Sequence, residues 1–153
     1  GEAHFARAYM YYGLVKRYGG VPLIDKVQDD DYADGGPGAV AVPRSTELDT
    51  WKFVLNECTL AAATLPDATS GSDLYRVTKW AAYALKSRVA LHAASVAKYW
   101  NLAPLAGEAV TQKLVGGMTS ADADAFYKEC IEASKSLIEN SGKSLYKPCS
   151  GYC

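Results

Sequence analysis

Four separate stretches of this chain repeat apolar residues at steps of three and four, and that period restricts them to helices with one buried face. In the first, over residues 2–18, Phe5, Ala8, Tyr12 and Val15 share a face, and Tyr9 and Tyr11 widen its aromatic surface. The second, over 46–65, steps 4-3-4-3 through Trp51, Leu55, Cys58, Ala62 and Leu65. The third, over 78–100, carries a stripe of Leu85, Val89, His92, Val96 and Tyr99, and its many alanines allow a neighbouring helix to approach closely. The fourth, over 120–141, repeats the 4-3-4-3 step through Ala123, Tyr127, Cys130, Ser134 and Leu137.

The punctuation agrees with the period. Gly19-Gly20, Pro66 and Gly142 stop the first, second and fourth stretches, because glycine closes a helix in the left-handed region and proline cannot continue one. Ser45 or Thr46 caps the second, Thr78 caps the third, and Thr119 with Asp122 forms a capping box at the fourth. Lys16 and Arg17 fall in the last turn of the first helix, where cations complement its dipole.

Between the helices the chain is irregular. Val21-Pro22-Leu23-Ile24 reads as extended, and the acidic run Asp29 to Asp31 with Gly35-Gly36-Pro37-Gly38 reads as an exposed loop. Residues 66–77 and 101–119 form two more loops. The resulting expectation is an all-α fold of tetratricopeptide-like helical hairpins with long irregular loops, the first helix paired with the second and the third with the fourth. The roughly 34-residue period of regular repeats of that type is not kept.

Composition limits the function classes. A length of 153 residues fits one domain, and 49% hydrophobic against 22% charged residues excludes a disordered chain. A net charge of −1 leaves no electrostatic footprint for nucleic acid or an anionic membrane. No catalytic signature is present. His4 and His92 are the only histidines and lack the spacing of a zinc protease, and neither a nucleophile elbow nor a phosphate loop occurs. The residues therefore predict no enzyme, no cofactor and no metal site. The triple aspartate lacks calcium-loop spacing. Cys58 and Cys130 fall within helical patterns as small buried hydrophobes, whereas Cys149 and Cys153 are free to pair with each other or elsewhere.

Several blocks in order carry a resemblance. The opening run from Gly1-Glu2-Ala3-His4-Phe5-Ala6-Arg7-Ala8 to Tyr12, followed by Leu14 and by Tyr18-Gly19-Gly20-Val21-Pro22-Leu23-Ile24, resembles the hallmark helix and turn of the SusD/RagB family. Val42-Pro43-Arg44-Ser45-Thr46 is similar to the family's turn before the next helix, and Thr78-Lys79-Trp80 through Arg88-Val89-Ala90-Leu91 to a later helix. Ala6 in place of the common Leu and His92 in place of a frequent Tyr are mild departures. The resemblance implies a SusD-like α-α superhelix in a non-enzymatic surface lipoprotein of the outer membrane in Bacteroidetes. Such a protein binds a glycan or another nutrient and hands it to a TonB-dependent SusC-like transporter. It also implies that residues 1–153 are one all-α segment of a longer protein, whose lipid anchor lies outside it. The competing expectation is a tetratricopeptide-like scaffold for a protein partner.

Glycan binding needs aromatic faces for the C–H surfaces of sugars and polar groups for their hydroxyls. Trp51 and Trp80 sit on or beside helical stripes and are expected in the core. Tyr32, in the acidic glycine-rich loop, and Trp100, at a helix end, are the candidate ligand contacts; the resemblance itself transfers no binding residue. Arg7 and Arg88 are expected to be structural, pairing with carboxylates or helix ends.

Overall fold

The computed structural model describes residues 1–28 and 42–145. Five α-helices make up most of them: α1 (Glu2–Tyr18), α2 (Glu47–Thr64), α3 (Lys79–Tyr99), the single turn α4 (Glu108–Thr111) and α5 (Ser120–Asn140). Two 3₁₀ turns, Gly71–Asp73 and Trp100–Leu102, lie in the connections, and no strand occurs among the described residues. The four long helices match the four sequence stretches to within a residue or two. The short turn α4 and both 3₁₀ turns are additions that no periodicity announces. Tyr32, the triple aspartate, Cys149 and Cys153 lie outside the described residues.

Helix α1 packs on α2, α3 packs on α5, and α2 against α3 joins the two hairpins. The expected pairing is the observed one. The caps are also where the sequence puts them. Thr46 accepts a hydrogen bond from the Asp49 amide, and Thr119 and Asp122 form a reciprocal capping box. Thr78 occupies the cap position of α3 but makes no side-chain cap bond. The Val21–Ile24 stretch is irregular backbone and joins no sheet.

The main core gathers Ala8, Tyr12 and Val15 of α1 with Trp51, Val54 and Cys58 of α2 and the alanines of α3. Every stripe residue expected of α2 is buried. Burial pushes the Cys58 thiol pKa up to about 12, so it behaves as a small hydrophobe. The stripes of α3 and α5 need correction. On α3 the most buried residues are Ala82, Ala90, Ala93, Ala94 and Ala97, together with Leu85 and Val89, and Tyr99 is exposed. Because α3 is clasped between α2 and α5, its small face is covered and its bulkier side is turned partly outward. On α5 the fully buried residues are Ala123, Phe126 and Ala133, which rotates the buried stripe from Tyr127, Cys130, Ser134 and Leu137, all half-buried.

One junction locks the hairpins at their ends. Gly19 has φ +68°, and a Cβ there would stand 2.1 Å from the Leu114 carbonyl oxygen. A Cβ on Gly20 would stand 1.9 Å from the Ser45 carbonyl oxygen. The Gly20 amide donates to Leu114 O at 2.7 Å, and the Glu47 amide donates to Lys113 O at 2.9 Å. Arg44 donates from Nε to Gly20 O at 2.8 Å and from its terminal nitrogen to Tyr18 O at 2.7 Å, capping the carbonyl end of α1. The Gly-Gly and Arg44 elements of the sequence are thus two halves of one backbone contact.

Candidate functional site

The α1 end of this junction borders an open cleft of about 350 Å³, lined by the last turn of α1, the start of α2, the second half of α3, Trp100 and Val115. Trp51, only 1% exposed, closes its base, and Trp100 and Tyr18, 47% and 58% exposed, stand at its mouth. Trp51 is held by tilted ring contacts with Tyr12 and His92, at 6.1 and 5.4 Å between centroids. Tyr12 Oη lies 3.2 Å from His92 Nδ1. Burial, with the charge of Lys16, pushes the His92 pKa below its ordinary value. The imidazole is therefore neutral at physiological pH, a hydrogen-bonding group without charge.

Among the described residues Glu47 is the only carboxylate lining the cleft. Its side chain turns inward: Oε2 accepts from the Gly116 amide at 2.6 Å and Oε1 from the Trp51 indole at 3.4 Å. Burial raises its pKa, and those two hydrogen bonds only partly oppose the rise. Lys16 and Arg17 supply the cleft's cations. Lys16 Nζ lies 4.4 Å from the centre of the Tyr12 ring, and Arg17 donates to Gly13 O at 3.2 Å. Among the described residues neither forms an ion pair.

The sequence candidates thus separate. Trp100 is exposed at a cleft, Tyr32 lies outside the described residues, and Trp51 is core. Trp80 is half-buried and stacked on Tyr83 at 6.0 Å, with Lys79 Nζ 5.1 Å from its ring centre. Tyr18, Lys16 and Arg17 were legible only as the end of a helix. Their place on the cleft depends on α3 and Val115, far along the chain.

Elsewhere one buried charge cluster is committed to structure. Arg7 binds Glu57 through two nitrogens at 2.8 and 2.9 Å, and His4 Nδ1 lies 2.8 Å from the same carboxylate. The Glu57 side chain is 3% exposed. Arg88, by contrast, is exposed and pairs with no carboxylate among the described residues. A second cavity of about 600 Å³ opens at the start of α1, but none of its described lining residues is aromatic, and its Arg76 is already paired with Glu2 and Asp73. Among the described residues no group of three or more His, Cys, Asp or Glu is placed to hold a metal ion, and no helix is long and apolar enough to cross a membrane.

Comparison with known proteins agrees with this architecture. A SusD-like protein from Bacteroides fragilis, known from its crystal structure, is 32% identical, with a TM-score of 0.65 over 95% of this chain and 21% of its own. A second solved structure, BT4246, is 24% identical with a TM-score of 0.68, over 92% of this chain and 24% of its own, and shares the fold. The chain therefore spans between a fifth and a quarter of the length of these solved proteins. No curated protein matches it. The SusD-like family, described as starch-binding and associating with the outer membrane, matches residues 1–91, which include Gly19, Gly20 and Arg44 of the junction and the Arg7–Glu57 pair. The chain belongs to the SusD-like family.

Proposed function

We propose that the protein binds a glycan at the cell surface without chemical conversion and delivers it to a TonB-dependent SusC-like transporter. In this reading it is an outer-membrane lipoprotein, anchored through a part of the protein outside this segment. The observation that carries the binding step is the pair of exposed aromatic rings, Trp100 and Tyr18, at the mouth of a cleft with a polar wall. Flat apolar rings suit the C–H faces of a pyranose, and neutral His92 suits its hydroxyls. Tyr32 is the second proposed contact on the sequence pattern alone.

The test is titration of the full-length protein with a panel of neutral and acidic oligosaccharides, followed by tryptophan fluorescence. Trp100→Ala is expected to weaken the best ligand about tenfold, or ~1.4 kcal/mol. An unchanged affinity in that variant moves the site away from this cleft. Silence across the whole panel removes the sugar-binding role. The scaffold reading has its own support in Tyr9, Met10 and Leu14, exposed along one side of α1. Co-purification of the transporter with a protein that binds no glycan would favour that reading.

A further inference from the structure

We propose that the Trp100 cleft selects a sugar bearing an anionic substituent, a carboxylate or a sulfate on the pyranose ring. The inference rests on the glycan-binding reading above and narrows its ligand. Two cations, Lys16 and Arg17, line the same cleft as the exposed rings of Trp100 and Tyr18. Cations in the last turn of a helix ordinarily have a local task, offsetting the partial negative charge of its free carbonyls. Here that task is largely done by another residue. Arg44 reaches across from the segment before α2 and donates to both Tyr18 O and Gly20 O, and the Gly19 amide closes on Val15 O. Arg17 spends one nitrogen on Gly13 O and keeps the rest of its planar fork.

Among the described residues the cations are also not neutralised from within the cleft: the only carboxylate that lines it, Glu47, is turned to Gly116 and Trp51 and is 5% exposed. Neutral His92 adds a hydrogen-bonding group without competing charge. An aromatic platform beside two cations that form no ion pair among the described residues suits a sugar that offers one apolar face and one fixed negative charge. A neutral sugar would stack equally well and would leave both cations unused.

The experiment is calorimetric titration of the full-length protein with tetragalacturonate, its fully methyl-esterified counterpart and a sulfated galactan tetrasaccharide. The wild type is expected to bind an anionic ligand about tenfold more tightly than the neutral ester. The advantage should shrink as salt is raised, because the cations are exposed. In the double variant Lys16→Gln, Arg17→Gln the advantage disappears while affinity for the ester is retained. The charge-preserving pair Lys16→Arg, Arg17→Lys keeps it. Preference for the sulfated over the carboxylated ligand, or the reverse, identifies the anion. Equal binding of acid and ester by the wild type, or discrimination that survives the double glutamine variant, overturns the inference and leaves glycan binding intact. Failure of all three ligands and of a neutral glucan panel overturns the glycan reading itself.

Discussion

Across the α1–α2 interface, Arg7 and His4 reach a carboxylate, Glu57, whose side chain is almost wholly buried, and Tyr11 packs edge-on against Phe53 at 4.9 Å. Across the α3–α5 interface the polar contacts are slight. Ser87 Oγ lies 2.7 Å from Ser134 Oγ, and Lys86 pairs with Glu129 at a partly exposed site. The remainder of α3 buries a face of alanines. The first hairpin is fixed by groups that tolerate one partner and one geometry, whereas the second is fixed by how closely two backbones approach. Buried charge gives register at the cost of desolvation, and small side chains give contact area with little register of their own. The cleft lies where the ends of both arrangements meet, since α1 and α2 supply its charged wall and α3 the side that carries His92.

The comparison breaks most sharply at the junction. In Gly20→Ala the new methyl would meet the Ser45 carbonyl oxygen at 1.9 Å and the Thr46 carbonyl carbon at 2.8 Å, both backbone atoms. No rotamer change relieves such a clash, so α1 must part from the start of α2 and lose the Gly20–Leu114 hydrogen bond. We expect a loss of roughly 4 kcal/mol in guanidinium unfolding. A loss under about 1 kcal/mol would show that this backbone contact adjusts more readily than its geometry implies.

Next in size is Arg7→Met, which leaves Glu57 buried with only His4 for company and should cost about 3 kcal/mol. Its acid profile is as informative as its magnitude. Burial alone would push the Glu57 pKa up, but hydrogen bonds from Arg7 and His4, with their charges, hold it below the ordinary value of 4.5. A carboxyl depressed in the folded state stabilises the fold above its unfolded pKa, and that contribution is lost as pH falls through the folded value. Wild-type stability should therefore drop in acid below 4.5 on account of this group. In Arg7→Met, burial prevails and the folded pKa rises, so the same group makes stability fall as pH climbs from the unfolded value through the raised one. Urea midpoints of the two proteins across pH 3 to 7 read this directly, and parallel profiles would assign the Arg7 effect to its guanidinium over the Phe53 ring, 5.7 Å from the ring centre, alone.

The second hairpin should respond to volume where the first responds to charge. Ala93 is fully buried in the face of α3 that meets its neighbours. Ala93→Leu adds three carbons where no space remains and should cost about 2 kcal/mol, with a profile against pH parallel to that of the wild type. A neutral Ala93→Leu would mean that α3 rides more loosely between α2 and α5 than its alanine face indicates.

The helices were legible because their signals are local. Each stripe, cap and stop involves residues within a few turns, so the end of α1, both ends of α2 and the starts of α3 and α5 follow from Gly19, Thr46, Pro66, Thr78 and the Thr119–Asp122 box. The orientation of α3 was not legible. Periodicity weights bulky residues such as Val96 and Tyr99, and packing between two helices rewards the small ones. Glu57 escaped notice for a related reason: a lone glutamate in a helix reads as solvent-facing until Arg7 and His4 are brought to it from α1. The cleft was the least legible of all. Trp100 could be singled out as an exposed aromatic at a helix end, but Lys16, Arg17 and Tyr18 join it only through contacts between residues some eighty positions apart.

The smallest expected effect is the most exacting for the comparison. Ser87 and Ser134 are half-buried and share a hydrogen bond of 2.7 Å across α3 and α5. If this bond set the register of the hairpin as Arg7–Glu57 does for the first, removing it would be costly and the two sites would be strongly coupled. Their setting argues otherwise. Either hydroxyl, left alone, can bond to a carbonyl one turn back along its own helix or to water, and Ser87 also lies 3.6 Å from Cys130 Sγ. Replacing both by alanine removes both donors and leaves no buried group unpaired. Each single Ser→Ala should cost about 0.5 kcal/mol, because the hydroxyl left behind finds another partner, and the double variant about 0.5–1 kcal/mol, so the coupling stays under about 0.5 kcal/mol. The same double-mutant cycle on Arg7 and Glu57 should give a coupling of about 2–3 kcal/mol. Comparable coupling at the two sites would mean that both hairpins take their register from polar pairs, and that the alanine face of α3 follows this alignment without setting it.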